Sequence, residues 1–181
     1  MEGIFTLPYS EYDAVNKMNS LLKKSDGYGF YIPTSRQQKG VDFLVMNHKT
    51  NKSLKVQVKS SKAYYHEDTF FLWFNNFLER YDKGNSDLYV LYGLYPNLKE
   101  GEKVTSKKKG WSSILLCFTE KEMFALLKQV RTKKEKKSDK FFGVKFKDAN
   151  EVYAQRGFTK EKDLTSHLLK NYTKRIKSML K

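Results

Sequence analysis

Apolar positions recur along the chain with two periods, and the periods alternate in blocks. From about Glu11 to Lys24, Ala14, Val15, Met18, Leu21 and Leu22 fall on one face at about 100° per residue, which predicts an amphipathic helix. Ser10 is placed to cap it, with Asp13 three residues on as reciprocal partner, and Asp26-Gly27 ends it. Tyr28 to Ile32 then reads as a short strand closed by Pro33, and Thr34 to Gly40 as a polar loop. Val41 to Met46 and Leu54 to Lys59 are two further strands, joined by the hairpin-like Asn47–Ser53 connection. Phe70 to Phe74 is continuously apolar and fits either a strand or the start of a buried helix. Asp87 to Tyr95, ended by Pro96, is a strand. Another, Ser113 to Phe118, runs straight into Thr119-Glu120-Lys121-Glu122, a capping box that opens a helix to about Val130. Arg131 to Lys140 reads as a charged loop and Phe141 to Phe146 as a short strand. A last helix is expected from about Lys160 to Leu180, because Leu164, Leu168, Tyr172, Ile176 and Leu180 recur every four residues. This order indicates an α/β domain with a central mixed β-sheet flanked by helices.

Composition narrows the class. The 181 residues suit one domain with a substantial core. The single cysteine, Cys117, permits no intrachain disulfide, and its apolar surroundings predict a reduced, buried thiol. No apolar run reaches the roughly 18 residues of a membrane span. Met1 to Phe5 lacks the basic start of a signal peptide, so a soluble, cytoplasmic protein with no membrane partner is expected. Thirty-five Lys and Arg against 20 Asp and Glu leave a net charge of +15. The excess is lopsided: net +2 over residues 1–95 and net +13 over residues 96–181. That asymmetry points to a polyanion, nucleic acid ahead of a membrane surface. The plainer reading, a lysine-rich surface that only solvates the protein, is the alternative.

Chemistry concentrates in two neighbouring segments, Gly40-Val41-Asp42-Phe43-Leu44-Val45 and Leu54-Lys55-Val56-Gln57-Val58-Lys59-Ser60-Ser61. A period of two puts Gln57 and Lys59 on one face of their strand and Val56 and Val58 on the other. If the two strands pair as an antiparallel hairpin, Asp42 comes to lie near Gln57 and Lys59. A carboxylate, an amide oxygen and an ammonium then meet at one sheet edge, where a hard divalent cation finds oxygen ligands and a water finds a cation beside it. Glu11 lies about 20° from the centre of the first helix's apolar stripe, and Asp13 points away from it. A carboxylate on a core-facing stripe needs a partner. The three histidines, His48, His66 and His167, are too dispersed for a zinc site, and the glycines form no Walker or Rossmann motif. The aromatic run Phe70, Phe71, Trp73, Phe74 and Phe77 suits a core better than a base-stacking platform.

The Asp42, Gln57-x-Lys59 pattern resembles the PD-(D/E)xK nuclease superfamily, which includes type II restriction endonucleases and Holliday-junction resolvases. In that family an Asp stands on one core strand, a (Glu/Gln)-x-Lys on the next, and often a Glu on the first helix, a place Glu11 fits. The strand beginning at Asp87 is similar to the family's next sheet strand. Gln57 departs from the commoner Glu and brings an oxygen ligand without charge. The resemblance covers about residues 3–95. It implies a restriction-endonuclease-like core over about 1–95, with a basic extension of the same domain over about 96–181. It also implies a Mg²⁺-dependent DNA endonuclease, with Mn²⁺ able to substitute. Glu11, Asp42, Gln57 and the Val58 carbonyl would hold the metal, and Lys59 would orient or activate the attacking water.

Double-stranded DNA is the expected partner. Arg36, Gln37, Gln38 and Lys39, together with Lys107, Lys108 and Lys109, are the candidate DNA contacts. The absence of a recognisable reading module in the sequence suggests either a large recognition subunit beside this chain or a homodimer. A resolvase-like or repair nuclease is the alternative within the family. A basic nucleic-acid-binding module is the alternative outside it.

Overall fold

A computed structural model describes residues 9–33, 40–81, 83–97, 110–132, 134 and 136–181. In chain order it contains α1 (Tyr9–Leu21), β1 (Tyr28–Tyr31), β2 (Phe43–Asn47), β3 (Lys52–Lys62), β4 (Tyr64–His66), β5 (Thr69–Asn75), β6 (Leu88–Pro96) and β7 (Trp111–Thr119). α2 (Glu120–Lys128), β8 (Phe141–Phe146), β9 (Tyr153–Ala154), β10 (Lys162–Asp163) and α3 (Leu169–Met179) follow. The fold is α/β. A mixed sheet has the order β1-β2-β3-β6-β7, with β3 and β6 parallel and every other pair antiparallel. A second, wholly antiparallel sheet has the order β10-β9-β8-β5-β4.

Alternation along the mixed sheet divides the apolar residues into two cores. On one face Phe43, Val45, Leu54, Val56, Leu88 and Val90 pack against Ala14 and Met18 of α1 and Tyr172 and Ile176 of α3. On the other, Tyr89, Leu91, Leu116 and Phe118 pack against Met123 and Leu126 of α2 and against Leu72, Phe74, Phe142 and Val144 of the second sheet. Cys117 is fully buried and free, and burial pushes its thiol well above the ordinary range. Gly93 lets the sheets approach: a Cβ there would run into Leu72 and Ile114. Residues beyond 95 are integral to both layers, since β7 extends the mixed sheet beside β6 and β8 pairs with β5. Among the described residues, no helix is long and apolar enough to cross a membrane.

The Thr119–Glu122 capping box forms as expected, with the Glu122 carboxylate also accepting from the Tyr172 hydroxyl. Two elements differ from expectation, and a third, left open between strand and helix, resolves as strand. Helix α1 starts at Tyr9, so Ser10 lies inside it, and Asp13 turns to the sheet, accepting from the Tyr92 hydroxyl at 2.9 Å and from Ser113. The buried Tyr92 ring brings a hydroxyl that requires an acceptor, and that demand outweighs the cap. Phe70 to Phe74 is strand, its alternate residues buried. The last helix begins at Leu169, because residues 160–168 form β10 and a 3₁₀ turn at Thr165–His167, with the Thr165 N–H held by Asp163 at 2.7 Å. The four-residue spacing misleads here because Leu164 and Leu168 fill the core of the second sheet, whereas Tyr172 and Ile176 fill the other.

Candidate active site

The site grows out of the β2–β3 ladder. Its last pair is Phe43 with Val56, so β2 does not extend far enough to satisfy the next donor along β3. Asp42 stands at that break. Its own N–H donates to the Val56 carbonyl at 2.8 Å, and its Oδ2 accepts from the Val58 N–H at 2.6 Å. The carboxylate thus replaces a missing strand carbonyl with a charge-assisted bond, which fixes its orientation.

On its other edge β3 continues parallel to β6, with Gln57 opposite Tyr89 and Lys59 opposite Leu91. Val56 and Val58 turn toward the core under α1 and α3. Gln57 and Lys59 turn the other way, into a groove of about 770 Å³ lined also by Gly40, Asn75, Phe77, Arg80 and Asn85. Lys59 is half-buried, with Nζ 5.3 Å from the centroid of the Phe77 ring. Burial lowers the pKa of this ammonium, and the nearby Asp42 carboxylate acts in the opposite sense, favouring the charged form.

The far wall is the segment between β5 and β6. Glu120, at the start of α2, accepts from the Gly84 N–H, and that bond leads in holding its carboxyl below the usual range. The Tyr81 phenol is pushed up by burial and by its bond to Glu120. Ser86 donates to the Gly40 carbonyl and ties the lip of the groove to the same segment. Asp87 caps the start of β6, accepting from the Lys55 N–H at 2.7 Å.

The structure therefore brings Asp42, Gln57, Val58 and Lys59 together. Glu11 sits in the first turn of α1, half-buried, and α1 packs on the sheet face opposite the groove. Arg36, Gln37, Gln38, Lys39, Lys107, Lys108 and Lys109 lie outside the described residues. Among the described residues, no three His, Cys, Asp or Glu side chains gather as metal ligands. The expected set is of another kind: two carboxylates, an amide and a backbone carbonyl. Sequence reasoning missed Asn75, Phe77 and Arg80, which reach the groove through the docking of one sheet on the other, and Asn85, which the connection into β6 sets against Gly40. Compared with known proteins, the chain matches no family model, no curated sequence and no solved structure.

Proposed function

We propose that this chain is a metal-dependent DNA endonuclease of the PD-(D/E)xK type, built on a restriction-endonuclease-like core. Asp42, Gln57 and Lys59 form its centre and the Val58 carbonyl adds an oxygen, whereas Glu11, which the resemblance would add, sits on the helix across the sheet from the groove. The observation that carries the reading is Lys59, an ammonium of lowered pKa in a groove, coupled to the Asp42 carboxylate and sharing that groove with Gln57. Lowered lysine pKa values of this kind recur at functional sites. The order of elements supports it too. A helix comes first, then a three-stranded meander with Asp42 before its second strand and Gln57-x-Lys59 on its third, and, after β4 and β5 of the second sheet, a strand parallel to the third.

A carboxylate held by the Val58 N–H, next to an amide oxygen, is a hard donor set that suits Mg²⁺ or Mn²⁺. Bound there, the ion would offset charge on the scissile phosphate and lower the pKa of a water. Asp42 is pre-oriented for this work by its backbone bond. Lys59 orients the attacking water and neutralises charge gathering on the phosphate oxygens. Arg80, Asn75 and Asn85 line the groove as contacts for the flanking phosphates. Water adds to phosphorus, the bond to the 3′ oxygen breaks, and the products carry 5′-phosphate and 3′-hydroxyl ends. Double-stranded DNA is the substrate, with sequence read by a larger partner subunit or by a second copy of the chain.

One observation favours a second reading. The Asp42–Val58 bond also gives Asp42 a purely structural job, as it would have in a basic nucleic-acid-binding module without catalysis. Plasmid cleavage in Mg²⁺ and in chelator, by wild-type chain and the Lys59→Ala variant, separates the two. Calorimetric titration of Mn²⁺ into wild type and Asp42→Asn covers the case of a chain that cuts only beside its partner. The nuclease reading expects metal binding that Asp42→Asn abolishes and Gln57→Glu strengthens. Metal binding unchanged by Asp42→Asn would refute it.

A further inference from the structure

The second sheet has one face in the core and one face open. The inward residues of β5 and β8, Phe70, Leu72, Phe74, Phe142, Val144 and Phe146, are buried. The outward residues include Tyr64, Trp73 and Phe141, exposed by 57%, 51% and 39%. The rings are arranged in a row. Tyr64 stacks on His66 at 6.2 Å between centroids and lies 6.4 Å from Trp73. The Arg156 guanidinium follows, 5.3 Å from the Trp73 ring and 5.3 Å from the Phe141 ring, and is held by Asp139 at 3.5 Å.

The ledge is shaped by a glycine. Gly143 is the cross-strand partner of Trp73, and a Cβ there would come within 2.9 Å of the indole and 3.1 Å of Arg156 Cβ. A depression of about 580 Å³ runs along this face, lined by Tyr64, His66, Trp73, Arg131, Asp139 and Arg156 among others. A smaller one shares Asp139 with it and shares Asn75, Phe77 and Arg80 with the groove holding Lys59. The three depressions therefore neighbour one another in series between the aromatic face and the candidate active site.

We infer that the outward face of β4, β5 and β8 is a stacking platform for an unpaired nucleic-acid strand, with bases on Tyr64, Trp73 and Phe141. Flat rings separated by a planar guanidinium are the groups on which unpaired bases stack. The large outward side chains of β4, β5 and β8 are flat rings, not aliphatic ones. The net charge of +15 complements a phosphate backbone. Of the acidic groups beside this face, Asp139 and Glu161 are matched by Arg156 and Lys145, Glu67 lies 3.7 Å from His66 Nδ1, and Glu151 accepts from the Tyr153 hydroxyl. If the nuclease reading holds, this series of depressions makes the substrate a duplex with a displaced or frayed strand. Strand binding itself does not rest on that reading.

Binding is measured in chelator, where cleavage plays no part, so absence of nuclease activity leaves this inference standing. Trp111 lies on the mixed sheet, so Trp111→Phe leaves Trp73 as the one reporter. Its fluorescence should be quenched by oligodeoxythymidine of about 15 nucleotides. The Tyr64→Ala, Trp73→Ala double variant should bind that oligomer roughly tenfold or more weakly by anisotropy. Gly143→Ala, which crowds the indole, should weaken it in the same direction, and Trp73→Phe should retain most of the affinity. A blunt duplex of equal length should compete poorly. Unquenched Trp73 at saturation, a double variant that binds like wild type, or equal competition by duplex would overturn the inference. So would self-association that depends on Trp73, which would assign the face to protein.

Discussion

The structure gives Asp42 one job and the proposed function gives it a second, and replacing it by Asn or by Ala separates them. The Val58 N–H is part-buried and donates to Asp42 Oδ2 at 2.6 Å, because the β2–β3 ladder stops at Phe43–Val56 and supplies it no carbonyl. Asp42→Ala removes the acceptor and leaves that donor unsatisfied, a cost of about 1–3 kcal/mol. For a chain of this length, 1 kcal/mol corresponds to a shift of roughly 2–4 °C in Tm, so a fall of about 2–12 °C is expected. Asp42→Asn keeps an oxygen acceptor and loses only the charge assistance, so its loss should stay under about 1 kcal/mol. Catalytically the two should be alike. Each removes the carboxylate that would hold the metal and that favours the charged form of Lys59. Thermal unfolding and Mg²⁺-dependent nicking of supercoiled plasmid, measured on both variants, give four numbers. Cleavage lost in both, with stability lost mainly in the alanine variant, is the expected pattern. Near-normal cleavage by a folded Asp42→Asn protein would refute the site. An alanine variant as stable as wild type would refute the backbone-cap argument.

Three further outcomes follow from the same geometry. Lys59 has a folded-state pKa below its unfolded value, with burial the leading cause, so the folded chain binds its proton less tightly. Its burial therefore costs stability below the folded pKa, and that cost is relieved as pH rises from the folded pKa toward the unfolded value. Lys59→Met should be inactive yet at least as stable as wild type near neutrality, with its advantage shrinking in alkali, as thermal melts at several pH values would show. Glu11→Gln should leave metal-dependent cleavage close to wild type, because α1 packs on the sheet face opposite the groove. Asp13→Ala, which strips the Tyr92 hydroxyl and Ser113 of their acceptor, should lower Tm while leaving metal dependence intact. Thr119→Ala should cost about 1 kcal/mol in denaturant unfolding through loss of the α2 cap, without altering metal binding.

Features written into short stretches of the sequence were legible. Alternation put Gln57 and Lys59 on one face and Val56 and Val58 on the other, and the pairing of β2 with β3 brought Asp42 to the same end. The Thr119–Glu122 capping box was legible for the same reason: all its partners lie within four residues. Where a long-range partner outbid a local one, reading failed. Asp13 is three residues from Ser10, and a cap there was a reasonable expectation. Its acceptor is instead used by Tyr92, 79 residues away. Residues 160–168 carry a helical spacing by coincidence, because two of the leucines serve one core and the later residues serve the other.

The second sheet was the largest omission, and its strands explain why. β4, β9 and β10 are three, two and two residues long, too short for a period of two to register. The tight turn between β4 and β5 uses Glu67 and Asp68 at positive φ, without the glycine that usually marks such a hairpin. Phe70 to Phe74 reads as a uniform apolar run because its outward residues, Phe71 and Trp73, are aromatic rather than polar. That hides the alternation, and it also leaves large rings on an open face. The omission propagates to the groove. Asn75 and Arg80 stand 15 or more positions beyond Lys59 and meet it only because Leu72 fills the space left by Gly93, setting β5 close against β6. The catalytic spacing is thus a property of one hairpin, whereas the shape of the cleft is a property of how two sheets dock. Substitutions in the hairpin should therefore act on chemistry, and substitutions at the Gly93–Leu72 contact on what the cleft admits.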